Sequence, residues 1–312
     1  MKWIVAIVGP TAVGKSRLAL SLARAFDGEI VSADSRQIYR YMDIGTAKPS
    51  FQDRASIPHH LIDIIEPTEP FSLATFQRLA YEAIEDIWQR GKLPLLVGGS
   101  GLYVWSAVEG WQIPPVPPDP DFRHQLEEKA AIGGAYSLYQ RLQEVDPVSA
   151  SKIDPRNVRR VIRALEVCEA TRVPFSQLQG KEKPPFNTLI LALTCHRDKL
   201  YNRIDDRVDK MINQGLVEEV KGLAARGYSF DLPAMSSVGY RQIGQFLQGR
   251  IDLSTAIQQI KFETHRFARH QYAWFRLKDP RIRWLDVEDD IEKMASNIVM
   301  KEIGERERRL PS

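Results

Sequence analysis

Apolar positions in this chain cluster in short runs closed by glycine, proline or acidic residues. Residues 3–8, WIVAIV, are the first such run, closed by Gly9-Pro10. A run this short and uniformly apolar predicts a strand covered on both faces, as in a parallel sheet. The pattern then predicts a helix from Lys15 to Phe26, closed by Asp27-Gly28, and a second strand over 29–33 that ends at Asp34. Residues 61–65, LIDII, are a further candidate strand. Ser72 to Gln89 reads as a helix, with Ser72 as its N-cap and Gly91 just past its end. Leu93–Val97 reads as another buried strand, running into Gly98-Gly99-Ser100-Gly101. Strands alternating with helices indicate a parallel α/β sheet.

The alternation stops at 113–120, IPPVPPDP, where five of eight residues are proline and the chain must be a stiff extended connector. Residues 121–179 read as all helix, with Leu126, Leu138 and Leu142 as packing positions. A second break, Lys183-Pro184-Pro185, precedes the apolar run Leu189–Leu193. The expected organisation is an α/β core over 1–113 and 187–312, with a helical insertion over 114–186. From 199 onward the chain reads as mostly helical with a polar tail.

Composition adds little to this picture. Of 312 residues, 43% are hydrophobic and 27% charged, which excludes disorder, collagen and coiled coil as descriptions of the whole chain. The two cysteines, Cys168 and Cys195, form no CxxC pair, so neither a disulfide framework nor a zinc module is expected. No signal-peptide pattern opens the chain and no apolar run approaches the roughly 20 residues of a membrane span. A cytoplasmic protein without membrane association is the expectation. The net charge is only +3, but its distribution is uneven. Residues 261–283 carry seven cations and two carboxylates, and 154–163 carry four arginines and one aspartate. Such islands suit a polyanion, although each is also compatible with a solvated helix face.

Residues Gly9-Pro10-Thr11-Ala12-Val13-Gly14-Lys15-Ser16 match G-x-x-x-x-G-K-[ST] between a strand and a helix. Glycines let the backbone curl around phosphate oxygens, and the helix N-terminus supplies N–H donors and positive potential. Lys15 adds a point charge, and the Ser16 hydroxyl is a ligand for Mg²⁺. The motif indicates a polyphosphate without saying which, and a nucleotide kinase or ATPase is the default. Those proteins usually place a metal-binding aspartate after a later apolar strand. Here Leu93–Val97 is followed by glycines and Ser100, which leaves room for other diphosphate chemistry. Asp34 ends the second strand, facing the same crevice, where a carboxylate can take a proton or hold Mg²⁺ through water. A helix N-cap is the structural alternative for Asp34. His59 and His60, adjacent in PHHLID, read as loop residues rather than ligands.

Taken in order, GPTAVGKS, DSRQIY, IGTAKP, PHHLIDI and VGGSGLY resemble the tRNA dimethylallyltransferases in sequence and spacing. DPRNVRRVIRALEV (154–167), RVDKMINQGLVEEV (207–220), SSVGYRQI (236–243) and THRFARHQYAWFR (264–276) extend the resemblance over roughly 3–285. Ser16 and Ser100 stand where the family commonly has threonine, and both keep the hydroxyl. With two cysteines, the zinc finger of eukaryotic relatives is not expected. The resemblance implies a P-loop NTPase-like core with a parallel sheet flanked by helices, plus an inserted helical tRNA-binding domain. It implies transfer of a dimethylallyl group from dimethylallyl diphosphate to N6 of adenosine 37, with diphosphate as leaving group and Mg²⁺ as cofactor.

The resemblance also implies roles. Gly9 to Ser16 cradle the diphosphate, with Mg²⁺ on Ser16, and Arg207 adds a cation. Asp34 accepts the N6 proton. Ser100 hydrogen-bonds near the reacting adenosine, and Ser35, Arg36 and Gln37 fix it after it is flipped from its stack. In 154–167, Asp154 is expected as N-cap with Pro155 at the first helical position. Val158, Val161, Ile162 and Leu165 then form one stripe, and Arg156, Arg159, Arg160 and Arg163 the opposite one. That arginine stripe is assigned to the anticodon stem, as are Arg266 and Arg269, while the aromatics of 264–276 are mostly core. Two other readings stay open on the residues: prenyl transfer to a free adenine nucleotide, and a P-loop nucleotide kinase. A monomer is expected.

Overall fold

The structure is a computed structural model that describes residues 2–304. The chain divides into two compact units, one of residues 1–108 with 184–312 and one of residues 109–183. The first unit contains β1 (Trp3–Val8), α1 (Lys15–Ala25), β2 (Gly28–Ser32), α2 (Phe51–Ser56), β3 (His59–His60), α3 (Leu73–Gln89), β4 (Leu93–Val97) and α4 (Gly101–Glu109). The second contains β5 (Trp111–Gln112), α5 (Pro120–Gly133), α6 (Ala135–Val145), α7 (Pro147–Ala150), α8 (Val158–Thr171) and β6 (Gly180–Lys181). The chain then returns to the first unit as β7 (Asn187–Thr194), α9 (Arg197–Asn213), α10 (Leu216–Ala225), α11 (Tyr240–Leu247), α12 (Leu253–Trp274), β8 (Ile282–Asp286) and α13 (Ile291–Val299).

The first unit is built on a parallel six-stranded sheet in the order β3-β2-β4-β1-β7-β8. Every residue of β1 and β2 is buried, including the Glu29 side chain of β2, as in parallel strands covered on both faces. The strands that matter for function end level with one another. Ile7 of β1 and Ser32 of β2 both pair with Val97 of β4, and Val8 pairs with Ala192 of β7. The loops that follow therefore open at one carboxyl edge, where open α/β sheets bind ligands. α3 covers the sheet with a stripe of Phe76, Ala80, Ile84 and Ile87, and Ser72 caps it by accepting from Thr75 N–H.

Three expectations need correction. LIDII is not a strand: Leu61 and Asp63 take φ values of 63° and 57°, which break an extended run. The strand here is the adjacent pair His59–His60 beside β2. His60 Nε2 lies 2.8 Å from the buried Glu29 carboxylate, so this histidine pair is part of the sheet edge rather than a loop. Arg90 also grips Glu29 and, against the opposing effect of burial, holds its carboxyl down at about 2. Second, residues 282–286 form a strand, β8, within the segment read as helical, with Ile282 and Leu285 buried. The last part of the polar tail, 305–312, lies outside the described residues.

The third correction concerns the second unit. Its core is Leu126, Leu138, Leu142, Ala150, Val161, Ile162, Ala164 and Leu165. It takes in Trp111–Gln112, ahead of the 114 read from the prolines, because that segment pairs antiparallel with Gly180–Lys181 and ties the two connectors together. α8 starts later than expected. Asn157 is its N-cap, accepting from Arg160 N–H, while Asp154 accepts the Arg156 backbone N–H and pairs with its guanidinium at 2.7 Å. Arg156 therefore precedes the helix and is not part of its stripe.

Candidate active site at the carboxyl edge of the sheet

The phosphate loop joins β1 to α1. Gly14, at φ 109°, is the N-cap of α1 and provides no side-chain cap, so the first N–H groups of the helix face the loop unclaimed by a capping side chain. Ala12 holds a left-handed φ of 64°, a conformation that costs a non-glycine residue about 1–3 kcal/mol. Pro10 accepts a hydrogen bond from Lys15 Nζ at 2.7 Å. Thr11 receives two partners from distant helices: Arg207 Nη1 of α9 donates to its hydroxyl at 3.2 Å, and its N–H donates to Gln271 Oε1 of α12 at 2.8 Å. Val13 is buried beneath the loop, and Ser16 is exposed at the first turn of α1. The structure thus brings Gly9 to Ser16 and Arg207 together.

Two cations in one half-buried place repel. Burial and the Arg207 charge push Lys15 down to about 8, and Asp34 opposes them. Burial likewise lowers Arg207, with Asp34 again opposing. Asp34 is therefore the carboxylate of this cation pair. It does not cap a helix: residues 35–38 are turns, and Asp34 Oδ1 accepts from Arg36 N–H at 2.9 Å. Ser100 lies across from it. Its hydroxyl accepts from Ser35 N–H at 3.1 Å and donates to Ser35 Oγ at 3.3 Å. The end of β2 and the glycine turn after β4 are thereby joined.

Arg36 and Gln37 lie at the edge but are already engaged. The Arg36 guanidinium donates to Pro233 O at 3.0 Å. Gln37 accepts from Ser32 Oγ and donates to the Thr46 and Ala47 carbonyls. Gln37 therefore holds the 44–47 turn, the IGTA segment, against β2. The same turn is fixed from the other side by Glu219 of α10. Its carboxylate accepts from the N–H groups of Asp43, Ile44 and Gly45, and from the Tyr240 hydroxyl of α11. Burial and Glu219 push the Tyr240 phenol far up, so it stays a donor. Lys48, closing this segment, reaches the Tyr39 carbonyl at 2.6 Å and the Asp43 and Asp63 carboxylates.

The expected RNA-contacting arginines differ in availability. Arg159 and Arg160 are exposed on α8, with no side-chain partner among the described residues. Arg163 is not free: it pairs with the buried Glu166, which Arg123 also grips at 2.8 Å, and donates to Val116 O at 2.9 Å. The stripe of four guanidiniums is thus reduced to two, because one arginine precedes the helix and another closes the core of its own unit. On α12, Arg269 donates to Tyr201 OH at 2.8 Å and Arg266 stands 4.0 Å from Glu263.

Sequence reasoning missed Gln271. It is 3% exposed and touches the phosphate loop and the glycine turn at once, Nε2 donating to Gly99 O at 3.0 Å. An amide among Tyr272, Trp274 and Phe275 reads as a chance polar residue in a core segment. Only the packing of α12 across the carboxyl edge reveals its partners.

The described residues hold no cluster of three or more His, Cys, Asp or Glu side chains of the kind that binds a metal. A Mg²⁺ held mainly by substrate does not need one, since that ion commonly keeps waters and takes one or two protein oxygens beside phosphate oxygens. Ser16 and Asp34 supply oxygen donors of that hard class.

A strand–phosphate loop–helix, with Lys15 of the loop and Arg207 of α9 as two cations beside it and a carboxylate across the edge, defines a P-loop α/β protein. Residues 37–278 match the model of the IPP transferase family. The chain belongs to that family. It is 56% identical over 276 residues to a tRNA dimethylallyltransferase of Chloroflexus aurantiacus, covering 88% of this chain and 93% of the relative. The full-length tRNA isopentenylpyrophosphate transferase of Bacillus halodurans superposes with a TM-score of 0.72 at 41% identity, covering 99% of this chain and 98% of that one. A eukaryotic dimethylallyltransferase described as acting on tRNA gives a TM-score of 0.83 at 28% identity, covering all of this chain and 81% of that one.

Proposed function

We propose that this protein transfers the dimethylallyl group of dimethylallyl diphosphate to N6 of adenosine 37 in tRNA. The observation that carries the reading is Asp34 set against the Lys15–Arg207 cation pair of a phosphate loop, in a member of the IPP transferase family. Lys15, Arg207 and the loop N–H groups bind the diphosphate and stabilise the charge that grows on it as the C1–O bond breaks. N6 attacks C1, forming the C–N bond, and Asp34 takes the N6 proton while diphosphate departs. An exocyclic amine is a poor nucleophile, so a placed base and tight orientation matter. Ser35 and Ser100, joined by hydrogen bonds, border the adenosine side. Ser16, and Asp34 through water, would hold Mg²⁺, which supplies further neutralisation of the leaving group when bound. Arg159 and Arg160 of the second unit, with Arg266 and Arg269, would contact the phosphates of the anticodon stem-loop.

Among the described residues no helix is long and apolar enough to cross a membrane. An RNA substrate supports a cytoplasmic protein, and a monomer is part of this proposal. The test is a transfer assay with labelled dimethylallyl diphosphate, Mg²⁺, unmodified tRNA and free AMP in one tube, read by nucleoside mass spectrometry. Label confined to adenosine 37 is the expected result. Label on AMP would make the protein a nucleotide prenyltransferase.

A further inference from the structure

We infer that Gln271 is a positioning residue that sets the spacing between the diphosphate loop and the turn bordering the adenosine, and so the distance over which C1 meets N6. The inference rests on the transfer reaction proposed above. A single planar amide spans the two loops. Its oxygen takes the Thr11 N–H at 2.8 Å and its nitrogen gives to Gly99 O at 3.0 Å. Thr11 also carries the Arg207 contact, and Gly99 precedes Ser100, whose hydroxyl fixes Ser35 next to Asp34. One side chain from α12 is thus one hydrogen bond from each half of the reaction site.

The contact is built for one residue on each side. A Cβ on Gly99 would lie 2.1 Å from Gln271 Nε2, so only glycine admits the amide this close. The anchor behind it is firm. The Trp105 indole N–H of α4 donates to the Trp274 carbonyl at 3.1 Å, fixing the end of α12 to the helix that follows the turn. Buried polar groups with both ends satisfied are rigid, and truncation would leave the Thr11 N–H and the Gly99 carbonyl short of partners. The two loops would then relax independently, and misplacement of reacting atoms by about 1 Å can cost on the order of 100-fold in rate.

The experiment is single-turnover transfer with full-length enzyme, tRNA and dimethylallyl diphosphate, comparing wild type with Gln271→Met and Gln271→Asn. Met fills the space without hydrogen bonds. Asn keeps the amide but, shorter by one methylene, reaches one loop and not both. Both variants should lose at least about tenfold in the single-turnover rate constant, with full reaction amplitude and KM for each substrate within about threefold. Combining Gln271→Met with Ser100→Ala should cost less than the product of the two single effects, because both act on one spacing. A wild-type rate in Gln271→Asn overturns the inference, as does a reduced amplitude at an unchanged rate constant, which marks a loss of folded enzyme only. Wild-type enzyme that transfers no label to tRNA instead removes the underlying reading, so the two failures are distinguishable.

Discussion

Lys15 is held where its charge is costly. With its amine lowered to about 8 by burial and Arg207, it is only partly a cation at mildly alkaline pH. The folded-state value lies below the ordinary 10.5 of an unfolded lysine. The folded protein therefore binds fewer protons than the unfolded chain between about pH 8 and 10.5, and this group's contribution to stability rises across that window. The burial costs stability at neutral pH, and a bound diphosphate offsets it by supplying the missing counter-charge. The predicted consequence is an alkaline limb near pH 8 in kcat/KM for dimethylallyl diphosphate, which reports the free enzyme. Lys15→Arg should push that limb above pH 9 at a lower plateau. A wild-type profile flat from pH 7 to 10 would remove Lys15 from diphosphate binding. Asp34 is tested separately. Asp34→Asn keeps the oxygen that accepts from Arg36 N–H but cannot take a proton. Its kcat should fall by about 10²–10⁴-fold while tRNA affinity stays within a few-fold. Equal losses of affinity and rate would give Asp34 a structural role instead.

The elements show what the pattern of residues could and could not convey. β1, β2, β4 and β7 were legible because a buried parallel strand is a short apolar run closed by a turn. LIDII looked the same, yet its left-handed Leu61 and Asp63 serve a polar purpose: the Asp63 carboxylate clamps Lys48 and Arg54. β8 was not legible, because an edge strand with Arg283 and Asp286 exposed carries little apolar signal. The phosphate loop was legible as a contiguous motif whose neighbours in space are its neighbours in sequence. Gln271, Glu219 and Tyr240 were not, since their roles come from helices converging on loops far away along the chain. The IGTA turn shows the cost of disturbing such a convergence. A Cβ on Gly45 would sit 2.4 Å from Cε2 of Tyr240, whose ring is fully buried and cannot swing aside. Gly45→Ala should therefore destabilise the protein by about 1–3 kcal/mol, lowering Tm by several degrees. An unchanged melting curve would mean the Glu219–Tyr240 clamp has slack that the geometry does not show.

The division of the chain into two units suggests a division of work, and the charges allow it to be tested. The first unit holds the phosphate loop, Asp34, Ser100 and Gln271. The second holds the arginine helix, of which Arg159 and Arg160 are exposed and without a side-chain partner among the described residues, while Arg163 is bound to Glu166. Exposed guanidiniums with nothing to neutralise them release counterions when they meet phosphates, which makes RNA affinity fall with salt. Each phosphate contact contributes close to one unit of slope for a duplex, and somewhat less for a single strand. Arg159→Ala with Arg160→Ala should weaken tRNA binding and flatten the salt dependence by about one to two units. KM for dimethylallyl diphosphate should stay the same, because neither residue belongs to the unit that holds the phosphate loop. Arg163→Ala should behave differently. It leaves the buried Glu166 with one guanidinium fewer, so its first effect should be on the melting of the second unit rather than on the salt slope. A double variant that lost diphosphate and tRNA affinity together would show that the arginines support the fold of the site and not the RNA. A salt slope unchanged from wild type would place the RNA on another face, and the cations of 261–283 would be the next to replace.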